Sequence, residues 1–274
     1  MPLEDLLLVP LGLAAAAYGA AIGTGGGFVL APALLLLFPD RTAEQVTAVN
    51  LTVVFMSVAS GSLAYARQGR IDYLTGVLFG LAALPTALVG VLAVRAVPRP
   101  QFDVMFGVLL LVLAVVMLRG RPASTIRQPL RGRGVLRRTV VTREGETYRY
   151  SYRAWQGLSI SAAVGFLSSL FGLGGGVMHV PAMIVLLRFP AHVAVATSTL
   201  IVVFMAAAAL GLHLSAAELS GDPGREALVL GVSAVVGAQA GARLSRRFAS
   251  ETITRLLVAA LAVIGLRLVA RAFF

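Results

Sequence analysis

Apolar segments long enough for membrane helices recur along almost the whole chain, and this pattern limits the fold more than any other feature. A helix needs roughly 20 residues to cross about 30 Å of hydrocarbon. The segments span 3–22, 27–38, 46–66, 73–94 and 102–118, and then 156–171, 176–189, 193–214, 227–244 and 253–270. With 58% hydrophobic and 13% charged residues, the chain is predicted to be an all-α polytopic membrane protein.

The basic residues lie mostly between these segments. All 23 are arginines, against 12 acidic residues, and the formal net charge is +11. Arginines in short loops are typical of the cytoplasmic side of a membrane, next to anionic lipid. A nucleic-acid groove would need them together on one folded surface. The predicted partner is therefore the lipid bilayer, and no nucleic acid.

Two glycine clusters indicate an internal repeat. Residues 23–32 read GTGGGFVLAP and residues 172–181 read GLGGGVMHVP, an offset of 149 positions. The same offset places LTVVFM at 51–56 on LIVVFM at 200–205. Self-similarity at a fixed spacing predicts a duplicated membrane unit.

A connector rich in arginine separates the two copies. Residues 119–153 carry ten arginines and two glutamates, with turn-forming glycine and proline, which predicts a solvent-exposed segment. Within it, TVVTREGETYRYSY alternates around Glu144 and Gly145 and predicts a β-hairpin. The expected domains are a first membrane repeat at 1–118, an arginine-rich cytoplasmic connector at 119–153 and a second membrane repeat at 154–274.

Arginine placement also predicts how the copies are oriented. With five segments per half, a cytoplasmic connector puts most loop arginines on the cytoplasmic side, namely Arg67, Arg70, Arg188, Arg243, Arg246 and Arg247. Four segments per half would move the last three outside. The five-segment arrangement leaves Arg95 and Arg99 on the outer side, against the rule. Because five is odd, we expect two inverted repeats of about five membrane segments each, with a glycine-broken helical hairpin opening each repeat.

The glycine clusters predict an anion site. The segments after them, 27–38 and 176–189, span only about 18–21 Å as helices, so each cluster places irregular backbone inside the membrane. Each short helix would begin at its glycines and aim free amides and a positive dipole end at the protein centre. We therefore expect substrate-binding amides at Gly25, Gly26, Gly27, Gly174, Gly175 and Gly176. The alternative is that these glycines only allow close helix packing, as small residues spaced by four do.

Polar residues downstream of the clusters are further candidates. Asn50, Thr197, Ser198 and Thr199 carry amide or hydroxyl donors for an oxyanion, although such residues also bond to their own helix or to a neighbouring one. Gln239 is a weaker candidate. His179 lies opposite Leu30 in the repeat and can titrate near neutral pH, which makes it a candidate for proton coupling.

No catalytic pattern is present in the sequence. There is no cysteine, no lysine, no HExxH and no Walker loop. We therefore expect neither an enzyme nor a metal site nor a cofactor.

The paired decapeptides, each followed by a polar stretch (TAVNLT and VATSTL), resemble those of the TauE/SafE sulfite exporter family of membrane permeases. The glycine-spaced GLAALPTALVG and GVSAVVGAQAG add to the resemblance, which covers the chain except 119–153. It implies a secondary transporter of sulfite or a related organosulfur or organic anion in the bacterial cytoplasmic (inner) membrane, driven by an ion gradient such as the proton gradient. Asn50 departs from the family pattern, where threonine or serine is commoner, and so leaves the substrate open.

Two other functions stay open at this stage. One is a membrane scaffold or assembly factor that recruits a partner through the basic connector, and the other is an anion channel. The sequence is compatible with a homo-oligomer but does not determine the oligomeric state.

Overall fold

A computed structural model describes residues 3–38, 40–119, 132–215, 219–247 and 250–273. The first half contains helices α1 (Leu3–Ile22), α2 (Gly27–Leu37), α3 (Ala43–Gln68), α4 (Tyr73–Val94) and α5 (Arg99–Arg119). The second half contains α6 (Ala154–Leu170), α7 (Gly176–Pro181), α8 (Ala191–Ser215), α9 (Asp222–Leu244) and α10 (Ser250–Phe273). A π-helical segment, Ala182–Leu186, extends α7, and a 3-10 turn, Ser245–Arg247, follows α9.

The prediction of a polytopic all-α membrane protein is confirmed. Within the described residues, α3, α4, α5, α8 and α9 are long and apolar enough to cross a membrane. Shorter apolar helices include Leu7–Ile22 and Gly176–Leu186. The opposite orientation of the two halves and the domain boundaries stay predictions.

Helix ends follow from local sequence. Thr42 and Gln45 form a capping box that starts α3, and Gly69, with φ 70°, ends it. Asp72 caps α4 through the Thr75 amide. Because α3 and α4 are separated by only a few residues, the polar turn between them is held rigidly at one end of both helices.

Contacts between helices are the same when the two halves are exchanged. Helices α1–α5 correspond to α6–α10. Helix α1 packs on α9, and its counterpart α6 packs on α4; likewise α3 packs on α9, and α8 packs on α4. Helix α3 also packs on α8, and α5 packs on α10. Glycine also allows close helix packing outside the two clusters. A methyl group at Gly237 or Gly241 would overlap the carbonyl oxygens of Leu13 and Ala17 on α1.

The predicted β-hairpin is confirmed. Strands β1 (Val135–Val141) and β2 (Thr147–Arg153) pair antiparallel, and Gly145 takes φ 87° in the turn. One face of the hairpin contacts the helices: the Tyr150 ring lies 4.3 Å from that of Phe189, and Tyr152 lies 5.6 Å from Phe79. Strand β2 runs directly into α6.

The carboxylate of Asp72 joins this hairpin to the helices. It accepts hydrogen bonds from Arg138 Nη2 at 2.7 Å, Tyr150 Oη at 2.6 Å and Thr75 Oγ1 at 2.6 Å, and the residue is 1% exposed. Burial alone would raise the pKa of Asp72, but these bonds outweigh it and lower the pKa below its ordinary value. Asp72 is therefore an ionised anchor for the connector at neutral pH.

Candidate functional site

The two glycine clusters break their helices, as the sequence predicts. Between α1 and α2, Gly23, Gly25 and Gly26 have φ of 81°, 72° and 86°. Between α6 and α7, the aligned Gly172, Gly174 and Gly175 have φ of 65°, 70° and 97°. Residues with a Cβ rarely adopt this region. We call residues 23–26 and 172–175 the first and second glycine turns.

The two glycine turns pack against each other. A methyl group added at Gly176 would lie 2.6 Å from the Gly23 carbonyl oxygen, and one at Gly27 would lie 3.1 Å from the Leu173 carbonyl oxygen. Gly23 aligns with Gly172 and Gly27 with Gly176, so the contact has the symmetry of the repeat. Both turns are buried. Because glycine has no side chain, the backbones of the two halves meet directly here.

Each glycine turn is followed by a helix start with no side-chain cap. The residues preceding α2 and α7 are Gly26 and Gly175, and neither start receives a side-chain capping bond. The first amides of a helix have no acceptor within it. Two sets of N–H donors, from α2 and from the helix Gly176–Leu186, therefore begin where the halves meet. This arrangement favours an anion, since the dipoles of both helices add to the donors.

The side chains that contact the turns from α3 and α8 are uncharged. Val58 lies over Gly25, Val54 over Gly174, Val195 over Gly23 and Met205 over Gly175. An anion at this contact would therefore be held mainly by backbone donors, in buried surroundings where hydrogen bonds are strong.

Asn50 joins the two halves. Its Nδ2 donates to the Gly172 carbonyl oxygen at 2.6 Å and to the Gly27 carbonyl oxygen at 3.0 Å. Ser198 on α8 makes the reciprocal contact, with its Oγ 2.9 Å from the Gly23 carbonyl oxygen. Both residues are fully buried. In this conformation, Asn50 and Ser198 hold the opposite half's glycine turn in place.

The other downstream candidates lie farther from the turns or bond locally. Thr199 Oγ1 donates to the Ala196 carbonyl oxygen of its own helix, which is the local bond considered in the sequence analysis. Thr197 Oγ1 accepts from the Asp72 amide at 3.0 Å, at the start of α4. Gln239 donates to Ser60 and ties α9 to α3. Their role as substrate ligands stays a prediction.

His179 is buried in α7 and lies between two hydrogen-bonding partners. Its Nδ1 is 3.1 Å from the Gly175 carbonyl oxygen and its Nε2 is 2.9 Å from Ser161 Oγ. Ser161 Oγ also lies 2.8 Å from the Phe79 carbonyl oxygen, to which it can donate. The histidine thus connects the second glycine turn to α6 and α4.

Three buried polar atoms near the turns have no hydrogen-bond partner in the part of the chain that the structure describes. They are Asn50 Oδ1, Ser57 Oγ on α3 and Ser169 Oγ at the end of α6. The sequence analysis missed Ser57, Ser161 and Ser169. Ser169 could have been noticed, because it comes just before the second glycine cluster, but a lone serine in an apolar helix is a weak signal. Among the described residues, no group of three or more histidine, cysteine or acidic residues could hold a metal ion.

Comparison with known proteins agrees with this organisation. The family model for "Sulfite exporter TauE/SafE" matches residues 8–268. The probable membrane transporter protein YunE of Bacillus subtilis is 32% identical over 98% of both chains. The probable membrane transporter protein MJ0441 of Methanocaldococcus jannaschii is 24% identical over 96% of both. A probable membrane transporter protein of Xylella fastidiosa is 29% identical over 67% of this chain and 65% of its own length. No solved structure matches the chain significantly.

Proposed function

Because the chain belongs to the sulfite exporter TauE/SafE family, we propose that this membrane transporter carries a small anion, with sulfite or a related organosulfur or organic anion as the first candidate. The family is one of transporters and not of enzymes. In this proposal the protein works by alternating access in a bacterial cytoplasmic membrane, with the connector on the cytoplasmic side.

One observation carries the proposal: two uncapped helix starts meet at the contact between the halves. Amides of Gly26, Gly27 and Gly174–Gly176 would bind the oxyanion, and the helix dipoles would balance its charge without a buried lysine or arginine. The Gly25 amide, also predicted as a ligand, instead donates to the Gly19 carbonyl oxygen at 3.3 Å. The unpartnered Ser57 and Ser169 hydroxyls can add donors. Asn50 and Ser198 would act mainly by holding the turns.

Alternating access requires a contact between the halves that opens and closes. In this proposal the backbone contact between the glycine turns opens and closes. Arg41, just before α3, pairs with Glu226 of the second half at 2.7 Å and is a further contact between the halves. Asp72, just after α3, pairs with Arg138 at 2.7 Å and fixes the connector there. A helix of 26 residues is about 39 Å long, so the two ion pairs lie far apart, on either side of the turns.

His179 is the proposed proton-coupling group. A neutral imidazole has one N–H, so it cannot donate to both Gly175 and Ser161. An imidazolium can donate to both and leaves the Ser161 hydroxyl free to bond Phe79. Because the Gly175 carbonyl oxygen can only accept, Nδ1–H donates to it in both states, and proton uptake would change the bonding of Ser161 and Phe79, where α6 meets α4.

The test is uptake of radiolabelled sulfite into vesicles that contain the purified protein. Gly26→Leu and Gly175→Leu should abolish uptake, because both positions have positive φ and are tightly surrounded. Gly211→Leu is the matched control: Gly211 is exposed on α8, and a side chain there meets nothing within 4 Å. Circular dichroism and gel filtration would establish that each variant is folded.

A folded Gly26→Leu or Gly175→Leu protein with full uptake would contradict the proposal. Uptake that saturates and shows counterflow distinguishes a carrier from a channel. If the wild-type protein moves no anion in either direction, the proposal that it transports anions is wrong.

A further inference from the structure

Arg70 is a buried cation whose ion-pair partner, Glu144, is half-exposed. It follows Gly69 at the end of α3, and its side chain is 3% exposed. Its Nε and Nη1 are buried and have no hydrogen-bond partner among the described residues. The carboxylate of Glu144 lies 3.7 Å from Nη2, but Glu144 is half-exposed in the hairpin turn. A guanidinium held away from water in this way is costly unless an anion or further acceptors complete its bonds.

The connector hairpin covers this arginine. The Arg143 amide donates to the Gln68 carbonyl oxygen at 3.1 Å, which places the hairpin turn over the end of α3. The bonds of Asp72 to Arg138 and Tyr150 hold the strands on the same side. The hairpin therefore lies over the end of α3 at which Arg70 is buried.

The side chains of Tyr148 and His192 lie within electrostatic reach of Arg70, together with the carboxylates of Glu144 and Glu146. Tyr148 donates to Glu146 at 2.7 Å. Burial, and then this bond to Glu146, raise the pKa of Tyr148 to about 12, although the positive charge of Arg70 opposes the shift. Tyr148 is therefore neutral. His192, at the start of α8, lies 6.4 Å from the Tyr148 ring, and its Nδ1 is buried without a partner.

We propose that Arg70, with His192, forms a second binding site for a small oxyanion beneath the connector hairpin. The Nη1 and Nη2 groups form one edge of the guanidinium, and this edge matches two oxygens of one sulfite, sulfate or phosphate ion; the imidazole can add a third donor. The site lies roughly 18 Å along the α3 axis from Val58 and the glycine turns. It does not depend on the proposed transport function. A lipid headgroup offers similar oxygens, but the cover over Arg70 favours a free ion.

The test is thermal unfolding of the full-length protein in detergent, with increasing sulfate and ionic strength held constant with sodium chloride. Arg70→Gln should weaken the apparent affinity for sulfate at least 10-fold. Arg67→Gln is the matched control, because Arg67 is exposed one turn earlier on α3. It should respond to sulfate as the wild type does.

A second measurement separates an anion site from a structural arginine. Without sulfate, Arg70→Gln should unfold at a temperature equal to or above that of the wild type, because it removes an uncompensated charge. A clear loss of stability in that variant, or an unchanged sulfate response, overturns the proposal. So does a response to a short-chain phosphatidylglycerol but not to free sulfate, sulfite or phosphate.

Vesicle uptake distinguishes this inference from the proposed function. Sulfate binding that needs Arg70, in a protein that moves no anion, leaves this site standing and removes the transport proposal. If the Arg70→Gln variant binds sulfate as the wild type does and still transports anions, the Arg70 site is wrong and the transport proposal stands.

Discussion

Asn50→Ala tests whether the two halves are held together through the glycine turns. Asn50 is fully buried and donates to Gly27 at 3.0 Å and to Gly172 at 2.6 Å. Hydrogen bonds between membrane helices contribute about 0.6 kcal/mol on average and about 1.7 kcal/mol at most. Losing two should therefore destabilise the protein by about 1–3 kcal/mol.

The repeat offers a matched control at the aligned position. Thr199 is as buried as Asn50, but its hydroxyl bonds only to Ala196 of its own helix. Such local bonds contribute little to helix stability. Thr199→Ala should therefore cost less than about 1 kcal/mol, within the range of that one bond.

Unfolding of purified protein in mixed micelles with increasing dodecyl sulfate, followed by circular dichroism, measures both effects. The free energy of unfolding of Asn50→Ala should be well below that of Thr199→Ala and that of the wild type. If Asn50→Ala unfolds like the wild type, or if both variants lose the same free energy, the bond between the halves is not the stabilising contact inferred here.

Two further predictions follow from single contacts. Asp72→Asn should release the hairpin and destabilise its folded state by about 2–3 kcal/mol, because hydrogen bonds to a charged group are lost and Arg138 is left without its partner. Hydrogen exchange of the hairpin amides would measure this loss. Because the pKa of Asp72 is lowered in the folded protein, its stabilisation is present at neutral pH and is lost as the pH falls through that lowered value, and the variant should show a flatter acid profile. Gly176→Ala should reduce both stability and sulfite uptake by forcing the glycine turns apart, since its methyl group would lie 2.6 Å from a carbonyl oxygen of the opposite turn. Gly211→Ala should raise helix stability by about 0.5–1 kcal/mol and leave uptake intact; an equal loss in both variants would show that the turn contact is unimportant.

The helical elements were predictable because membrane helices depend mainly on local sequence. Backbone groups in lipid must bond within their own segment, so the length and apolar character of a segment nearly specify a helix. The segment predicted at 73–94 is α4, Tyr73–Val94, and the hairpin forms around Glu144 and Gly145 as expected. The breaks at Gly23–Gly26 and Gly172–Gly175 were predictable for a similar reason, because their positive φ values need glycine.

The directions of the polar side chains were not predictable in this way. Asn50, Thr197, Ser198 and Thr199 look alike in sequence, yet Asn50 and Ser198 bond the opposite half, Thr197 bonds the α4 turn and Thr199 bonds its own helix. One hundred degrees of rotation along a helix separates neighbouring residues, and only the packing of α3 and α8 determines which neighbour each one meets. The buried state of Arg70 has the same origin, since the hairpin that covers it lies far away in the chain.

The sequence by itself determined the membrane helices, the duplication and the two glycine breaks, since each depends on residues that are neighbours along the chain. Only the tertiary structure decided that the two turns touch, that Asn50 donates to a carbonyl 122 residues away and that the Ser198 hydroxyl lies 2.9 Å from one 175 residues away. Those contacts depend on how the described helices pack in three dimensions, and the periodicity of the sequence does not specify that packing.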